Sequence, residues 1–205
     1  MTVTYLACLA LGYLIGSLSV SILISKYIFH QDVRTLGSGN AGAANAARTL
    51  GAGVGLLTLL GDFLKGVISM LLGSCLGGAT GLAIAGAACM IGHCFPIYFG
   101  FKGGKGVLVG AGAALATEPL VCAALLVIFL IEVAVTHIVS LGSIIIAALY
   151  PVGTLINLIA HGASLPTIVF STVCCVIMAA MVIWLHRSNI ERLKNGTEYR
   201  FGEKK

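Results

Sequence analysis

Two lysines, Lys102 and Lys105, stand among Gly100, Gly103, Gly104 and Gly106 in the stretch GHCFPIYFGFKGGKGV, residues 92–107. Glycine lets backbone amides turn to one side in conformations that a side chain forbids, and successive inward amides form an anion-binding nest. Flanking ammonium groups add full positive charge. The chemistry this predicts is the holding of a phosphate. A second stretch, GSGNAGAANAAR from Gly37 to Arg48, sets Ser38, Asn40, Asn45 and Arg48 among small residues. Arg48 can grip a phosphate bidentately, with Ser38 and the amides as neutral donors, so it reads as a second anion site. A third stretch, HRSNIERLKNGTE, places His186, Asn189 and Arg192 at three-residue intervals, which is one stripe if the helix before it continues. Glu198 is expected to pair with one of the basic groups and hold the tail down.

Several familiar chemistries are excluded by spacing. The first loop contains GxGxxG literally (Gly37, Gly39, Gly42), but a dinucleotide site needs a preceding strand, and an apolar helix precedes this one. GGKG is no ATP-binding loop, since Gly106 rather than Ser or Thr follows Lys105. The seven cysteines lie mostly in apolar runs without a CxxC pair, which fits neither a disulfide framework nor zinc and suits small packing residues. His93 beside Cys94 makes a poor nucleophile and base.

The elements that must position these loops lie in a membrane. Of 205 residues 59% are hydrophobic and 9% charged, with a mean hydropathy of +1.06, whereas about 25% charged is usual for a soluble domain. The length suits one membrane domain, residues 1–205, all helical. Apolar runs from about Val3 to Ile24, Leu50 to Ser74, Gly77 to Ile91, Val107 to Val139, Leu141 to Ala160 and Leu165 to Leu185 are the spans. Glu118-Pro119 divides the long one into a short fourth span and a fifth, giving seven. Nothing charged precedes Lys26, so the first span is expected to be retained rather than cleaved. With seven crossings Lys26, Arg34, Arg48, Lys102, Lys105, Arg187, Arg192, Lys194, Arg200, Lys204 and Lys205 share one face. The positive-inside rule makes that face cytoplasmic, with the N-terminus outside.

Within the spans, Asp62 and Lys65 are spaced to pair with each other, while Glu132 has no obvious partner. Ser140 and Ser143 sit where hydroxyls cap a helix start, an end that also suits phosphate. Gly12/Gly16, Gly77/Gly81 and Gly106/Gly110 suggest close helix packing. Pro96 should end a helix, leaving Phe95, Tyr98, Phe99 and Phe101 to dip into the membrane. His137 and His161, near span ends, need no function.

These stretches resemble, in order and across essentially the whole chain, the PlsY-type acyl-phosphate:glycerol-3-phosphate acyltransferases of bacterial membranes. DFLKG at Asp62 to Gly66 and SLGSI at Ser140 to Ile144 add to the likeness. The resemblance implies seven helices in the cytoplasmic membrane, a cytoplasmic active site, and neither metal nor cofactor. Ser38, Arg48, His186 and Asn189 would be catalytic. His93, Lys102, Gly103, Gly104, Lys105, Gly106 and Arg192 would bind substrate, with Glu198 as a structural support; Asn40, Asn45, Ser140 and Ser143 join the substrate-binding set from the reading of the residues above. Acyl-phosphate and glycerol 3-phosphate would be the reactants, membrane lipids the surroundings, and an acyl-phosphate-making enzyme a functional partner; no nucleic acid is expected. The chain departs from the family at Ala44, where threonine is frequent, at Leu108-Val109, and in GSLSVS, where a proline is expected. The same loops would also suit a phosphate carrier, although no internal repeat supports one. An acyltransferase using another donor is the nearer alternative, and no HxxxxD pair marks it.

Overall fold

The structure, a computed structural model, describes residues 2–202; Lys204 and Lys205 lie outside the described residues. Helices account for its regular structure: α1 (Thr2–Ser17), α2 (Val20–Tyr27), α3 (Ala43–Leu50), α4 (Ala52–Cys94), α5 (Val107–Thr117), α6 (Pro119–Thr136), α7 (Val139–Ala160), α8 (Leu165–Leu185) and α9 (Arg187–Lys194). Single 3-10 turns at Val33–Thr35 and Ile97–Phe99 interrupt the two loops of interest. Of these helices α4, α6, α7 and α8 are long and apolar enough to cross a membrane, and α1 with α2, bent by 43°, makes a fifth. At 11 residues α5 is too short to cross alone. Contacts divide the chain into two compact units, Met1–Ala116 and Thr117–Lys205.

In the first unit α4 is the organising element. Its 43 residues would reach about 65 Å at 1.5 Å per residue, twice a hydrocarbon layer of about 30 Å. It does not run straight. Gly77 and Gly78 leave helical geometry, Gly78 at φ +62°, a turn for which glycine is suited. The arms fold back on each other about that point. Gly73 faces Gly81 too closely for a Cβ, Ser69 Oγ donates to Ala85 O at 3.0 Å, and Cys89 Sγ donates to Lys65 O at 3.6 Å. The glycines of α1 complete the packing. A Cβ at Gly12 would strike the Ala85 backbone, and one at Gly16 the Cys89 backbone. α5 lies on the first arm, where Gly112 packs on Phe63 and Val67 and the Val109 backbone fills the space beside Gly66. Gly110 instead faces open space, so Gly106/Gly110 is not a packing pair.

In the second unit α6, α7 and α8 pack in sequence. Gly142 and Gly153 admit α6 closely, against Glu132 and Phe129 and against Val121. Glu132, expected to stand alone, accepts a hydrogen bond from Thr136 Oγ1 at 2.6 Å one turn later. The cap of α7 is Ile138, with no side-chain bond, so neither Ser140 nor Ser143 caps that helix. The stripe after α8 is not on one unbroken helix either. His186 (φ −92°, ψ 8°) separates α8 from α9.

Candidate active site

Both glycine loops belong to the first unit, and a single side chain ties them together. Asp32 caps the turn at Val33–Thr35 by accepting from Arg34 N at 3.0 Å. Its carboxylate then receives Arg34 Nε at 2.9 Å and Nη2 at 2.8 Å. These bonds to Arg34 hold the Asp32 carboxyl well below its ordinary value and raise the guanidinium above its own. The remaining edge of Arg34 crosses to the other loop, where Nη1 donates to Phe99 O at 2.5 Å and to Lys102 O at 3.1 Å. Apolar packing follows the same path. Ile22, Val33, Ala41, Ala46 and Val54 form a buried cluster, and Phe99 packs against it rather than dipping outward; Tyr98 and Phe101 are the exposed aromatics of that loop.

The first loop is shaped by Asn45. Its Nδ2 donates to Val33 O at 3.0 Å, Leu36 O at 3.1 Å and Asn40 O at 2.9 Å, and its Oδ1 accepts from Ser38 N at 2.9 Å. Only 2% exposed, the amide is engaged at both ends by loop backbone, so a direct substrate contact is not its role here. Gly37, at φ +54°, lies against Asn45 Oδ1 and has no room for a side chain. Ser38 and Asn40 are half-buried on this loop, while Arg48 is exposed in the last turn of α3.

The second loop closes back on α4. Pro96, in a trans peptide, follows the last turn, and Gly103 N and Gly104 N donate to Cys94 O at 3.2 Å and His93 O at 3.1 Å. Two amides of GGKG therefore cap a helix end instead of facing an anion, a correction to the nest expected there. Gly104 sits directly on the His93 imidazole. That ring is 5% exposed, with Nδ1 3.6 Å from Asp62 Oδ1. Asp62 and Lys65 form the anticipated ion pair at 2.7 Å, and Lys65 also donates to Leu18 O at the bend between α1 and α2. His93 is thus a buried wall behind the loop. Lys102 is exposed and Lys105 half-buried, and Gly106 is buried.

A row of hydroxyls on α1 and α2 fastens both loops. Tyr13 donates to Phe95 O at 2.9 Å, and Ser17 Oγ accepts from Ile97 N at 3.4 Å. Ser21 Oγ donates to Ala41 O at 2.6 Å, and Ser25 Oγ accepts from Val33 N at 3.1 Å. Sequence reasoning missed these residues and Arg34. The available signal was the recurrence of serine every fourth residue from Ser17 to Ser25 on one face of an otherwise apolar span.

In the second unit the third stretch gathers on Glu198, whose side chain is 6% exposed. Ser140 Oγ and Asn189 Nδ2 donate to Oε1 at 2.9 and 2.7 Å, and Arg192 Nε donates to Oε2 at 2.7 Å. Phe201 N donates to His137 O at 2.6 Å, fastening the tail beyond. Ser143 Oγ donates to Val139 O on its own helix. His186, 3% exposed, has Nδ1 2.8 Å from Val182 O, so that nitrogen carries the proton and Nε2 is the basic one in the neutral ring. Among the described residues no cluster of His, Cys, Asp and Glu is arranged to hold a metal ion.

The glycerol-3-phosphate acyltransferase family model matches residues 6–196. The glycerol-3-phosphate acyltransferase of Syntrophomonas wolfei is 43% identical over 198 residues, covering 97% of each chain. That of Shouchella clausii is 43% identical over 209 residues, covering 100% of this chain and 99% of its own. Crystal structures of PlsY, an integral membrane glycerol 3-phosphate acyltransferase, are similar in fold at 34% identity. The glycerol 3-phosphate form gives a TM-score of 0.84 over 97% of this chain and 96% of that one, and the lysophosphatidic acid form 0.82 over 97% and 95%. Identity over nearly the full length, carried on a helical fold that extends through both units, makes this chain a PlsY-type member of the glycerol-3-phosphate acyltransferase family.

Proposed function

We propose that the protein transfers an acyl chain from acyl-phosphate to the 1-hydroxyl of glycerol 3-phosphate, giving lysophosphatidic acid and inorganic phosphate. The observation that carries the reading is the Arg34 tie, which sets two glycine loops bearing Arg48, Lys102 and Lys105 side by side in one unit. Both reactants are anions that repel each other, and a paired cationic site meets that difficulty directly. The hydroxyl oxygen attacks the acyl carbonyl, the bond from that carbonyl to the phosphate oxygen breaks, and the departing phosphate takes the proton. Because an acyl-phosphate is a mixed anhydride, alignment and charge stabilisation supply most of what is needed. Orientation can contribute about 7–11 kcal/mol and one aimed donor about 2.7–4 kcal/mol.

In this reading Lys102, Lys105 and Gly106 hold glycerol phosphate, and Ser38, Asn40 and Arg48 serve the acyl-phosphate. Asn45, His93, Gly103 and Gly104 shape the loops that carry them. The roles of His186 and Asn189 in orienting the hydroxyl, and of Arg192 in binding substrate, rest on the family resemblance, and those of Ser140 and Ser143 on their place at the start of α7. The bonds at Glu198 support its part as the anchor of that group. For topology we infer seven crossings: α1 with α2, the two arms of α4, then α5, whose 11 residues need the adjoining stretches 100–106 and 118 to complete a crossing, and α6, α7 and α8. The N-terminus lies outside, and the loops face the cytoplasm from the bacterial inner membrane, where an acyl-phosphate-making enzyme supplies the donor.

The test gives purified protein glycerol 3-phosphate with acyl-phosphate, acyl-CoA or acyl carrier protein. Lysophosphatidic acid together with phosphate release from acyl-phosphate alone is the expected result. Product from another donor only, or glycerol 3-phosphate flux into liposomes without chemistry, would overturn the reading.

A further inference from the structure

We propose that Arg34 is a positioning residue for the half of the site that holds glycerol phosphate, an inference that rests on the function proposed above. Both ends of the Lys102–Gly103 peptide are fixed. Its carbonyl accepts from Arg34 Nη1 at 3.1 Å, while its N–H donates to Cys94 O at 3.2 Å. A peptide plane held at both edges cannot rotate, so the root from which the exposed Lys102 side chain departs is fixed as well. The next amide, Gly104 N, is held on His93 O, and the buried His93 ring leaves Gly104 no room to shift inward. Arg34 itself is oriented from the far side by two-point contact with Asp32, at 2.9 and 2.8 Å, and its side chain is 19% exposed.

The bland alternative is a surface ion pair, worth little. Asp32 and Arg34 alone would fit that description, since they are two residues apart. The bonds to Phe99 and Lys102 do not, because they join segments 65 and 68 residues away. Without Arg34 those two carbonyls lose a charged donor and present their negative ends near a site meant for anions. Four of the five guanidinium donors already go to protein atoms. The residue therefore acts through the loop and not on the substrate.

The test measures steady-state constants for both substrates in Arg34→Ala, Arg34→Lys, Asp32→Ala and the Arg34→Ala/Asp32→Ala double variant, with amide exchange across 97–106 in the absence of substrate. Bonds to a charged group are worth about 1.5–3 kcal/mol, so KM for glycerol 3-phosphate should rise roughly 10- to 150-fold in Arg34→Ala. The constant for acyl-phosphate should stay within about two-fold, since RT sets that as less than half a kcal/mol. Arg34→Lys should fall between, the double variant should be no worse than Arg34→Ala, and Gly103 and Gly104 should exchange faster. A raised glycerol phosphate constant with unchanged exchange would mean that Arg34 touches the substrate itself. An equal rise in both constants, or a loss of kcat alone, would also overturn the proposal. Should the unaltered protein transfer no acyl group from any donor, the functional reading falls, and the exchange data still decide whether Arg34 holds the loop.

Discussion

Replacing Asn45 by aspartate changes one atom of the side chain and should dismantle the first glycine loop. The Nδ2 that becomes an oxygen faces three carbonyls, Val33 O, Leu36 O and Asn40 O, all within 3.1 Å. Two donated hydrogens are lost, at about 1 kcal/mol each; Val33 O and Leu36 O keep the bonds they accept from Leu36 N and Gly39 N, while Asn40 O, which relies on this amide, adds about 1–3 kcal/mol. The total is about 3–5 kcal/mol. That is a large part of a typical folding margin of about 5–15 kcal/mol. Asn45→Ala loses the same bonds without adding repulsion, so at pH 8 it should be the milder change. The difference should narrow as pH falls, because protonating the new carboxyl restores one donor and removes a charge whose second oxygen faces three carbonyls. The assay is amide exchange across 33–48 with thermal unfolding in detergent, alongside turnover. Ser38 N, bonded to Asn45 Oδ1, is the reporter. We expect its protection to be lost in Asn45→Ala and turnover to fall at least about 100-fold as Ser38 and Arg48 move by an ångström or more. If the Ser38 amide and the unfolding temperature stayed as in the unaltered protein while only a substrate constant rose, Asn45 would be facing substrate, and the loop argument would be wrong.

Gly104→Ala should raise KM for glycerol 3-phosphate about 10- to 100-fold, since the new Cβ meets a buried imidazole backed by Asp62, itself paired with Lys65, and overpacking costs about 1–3 kcal/mol. Gly100→Ala, which faces open space at φ +67°, serves as the contrast and should change KM by less than about ten-fold; equal effects would remove the His93 wall from the explanation. Glu198→Gln retains size but gives up charge-assisted bonds from Asn189, Arg192 and Ser140, and a loss of about 2–3 kcal/mol in stability is expected by thermal unfolding. No shift in unfolding would remove Glu198 as the anchor. Because Arg34 holds the Asp32 carboxyl below its ordinary 3.8, the stability this contact gives is fully present above that pH and is lost only as pH falls below it toward the folded value. Exchange across 31–42 should therefore be unaffected by Asp32 between pH 5 and 8, and a transition there that disappears in Asp32→Asn would contradict the assignment.

The helical runs were legible because apolar length and glycine breaks are local properties. The turn at Gly77–Gly78 and the break at Glu118-Pro119 fall where composition predicts them. The Asp62–Lys65 pair follows from spacing alone. What sequence concealed is direction. Asn45 looked like a ligand because an amide among glycines is polar and unclaimed until the chain folds around it. Gly103 and Gly104 looked like a nest because their amides gain partners only when α4 ends beneath them. Arg34 read as topology, since nothing local joins residue 34 to carbonyls at 99 and 102. At the departure in GSLSVS, Ser19 stands where the proline is expected, at the start of α2, with its Oγ 3.3 Å from Ser21 Oγ. Leu108-Val109 is partly a packing matter, with Val109 buried at 1% and its backbone seated beside Gly66.

The most direct test of the central claim, that two adjacent cationic loops each hold one of two anions, is an initial-rate matrix in both substrates for Lys105→Ala and Arg48→Ala. The account predicts that each variant raises the constant of one substrate by about ten-fold or more and leaves the other nearly unchanged, with the two variants affecting different substrates. Unaltered constants for both substrates in both variants would contradict it.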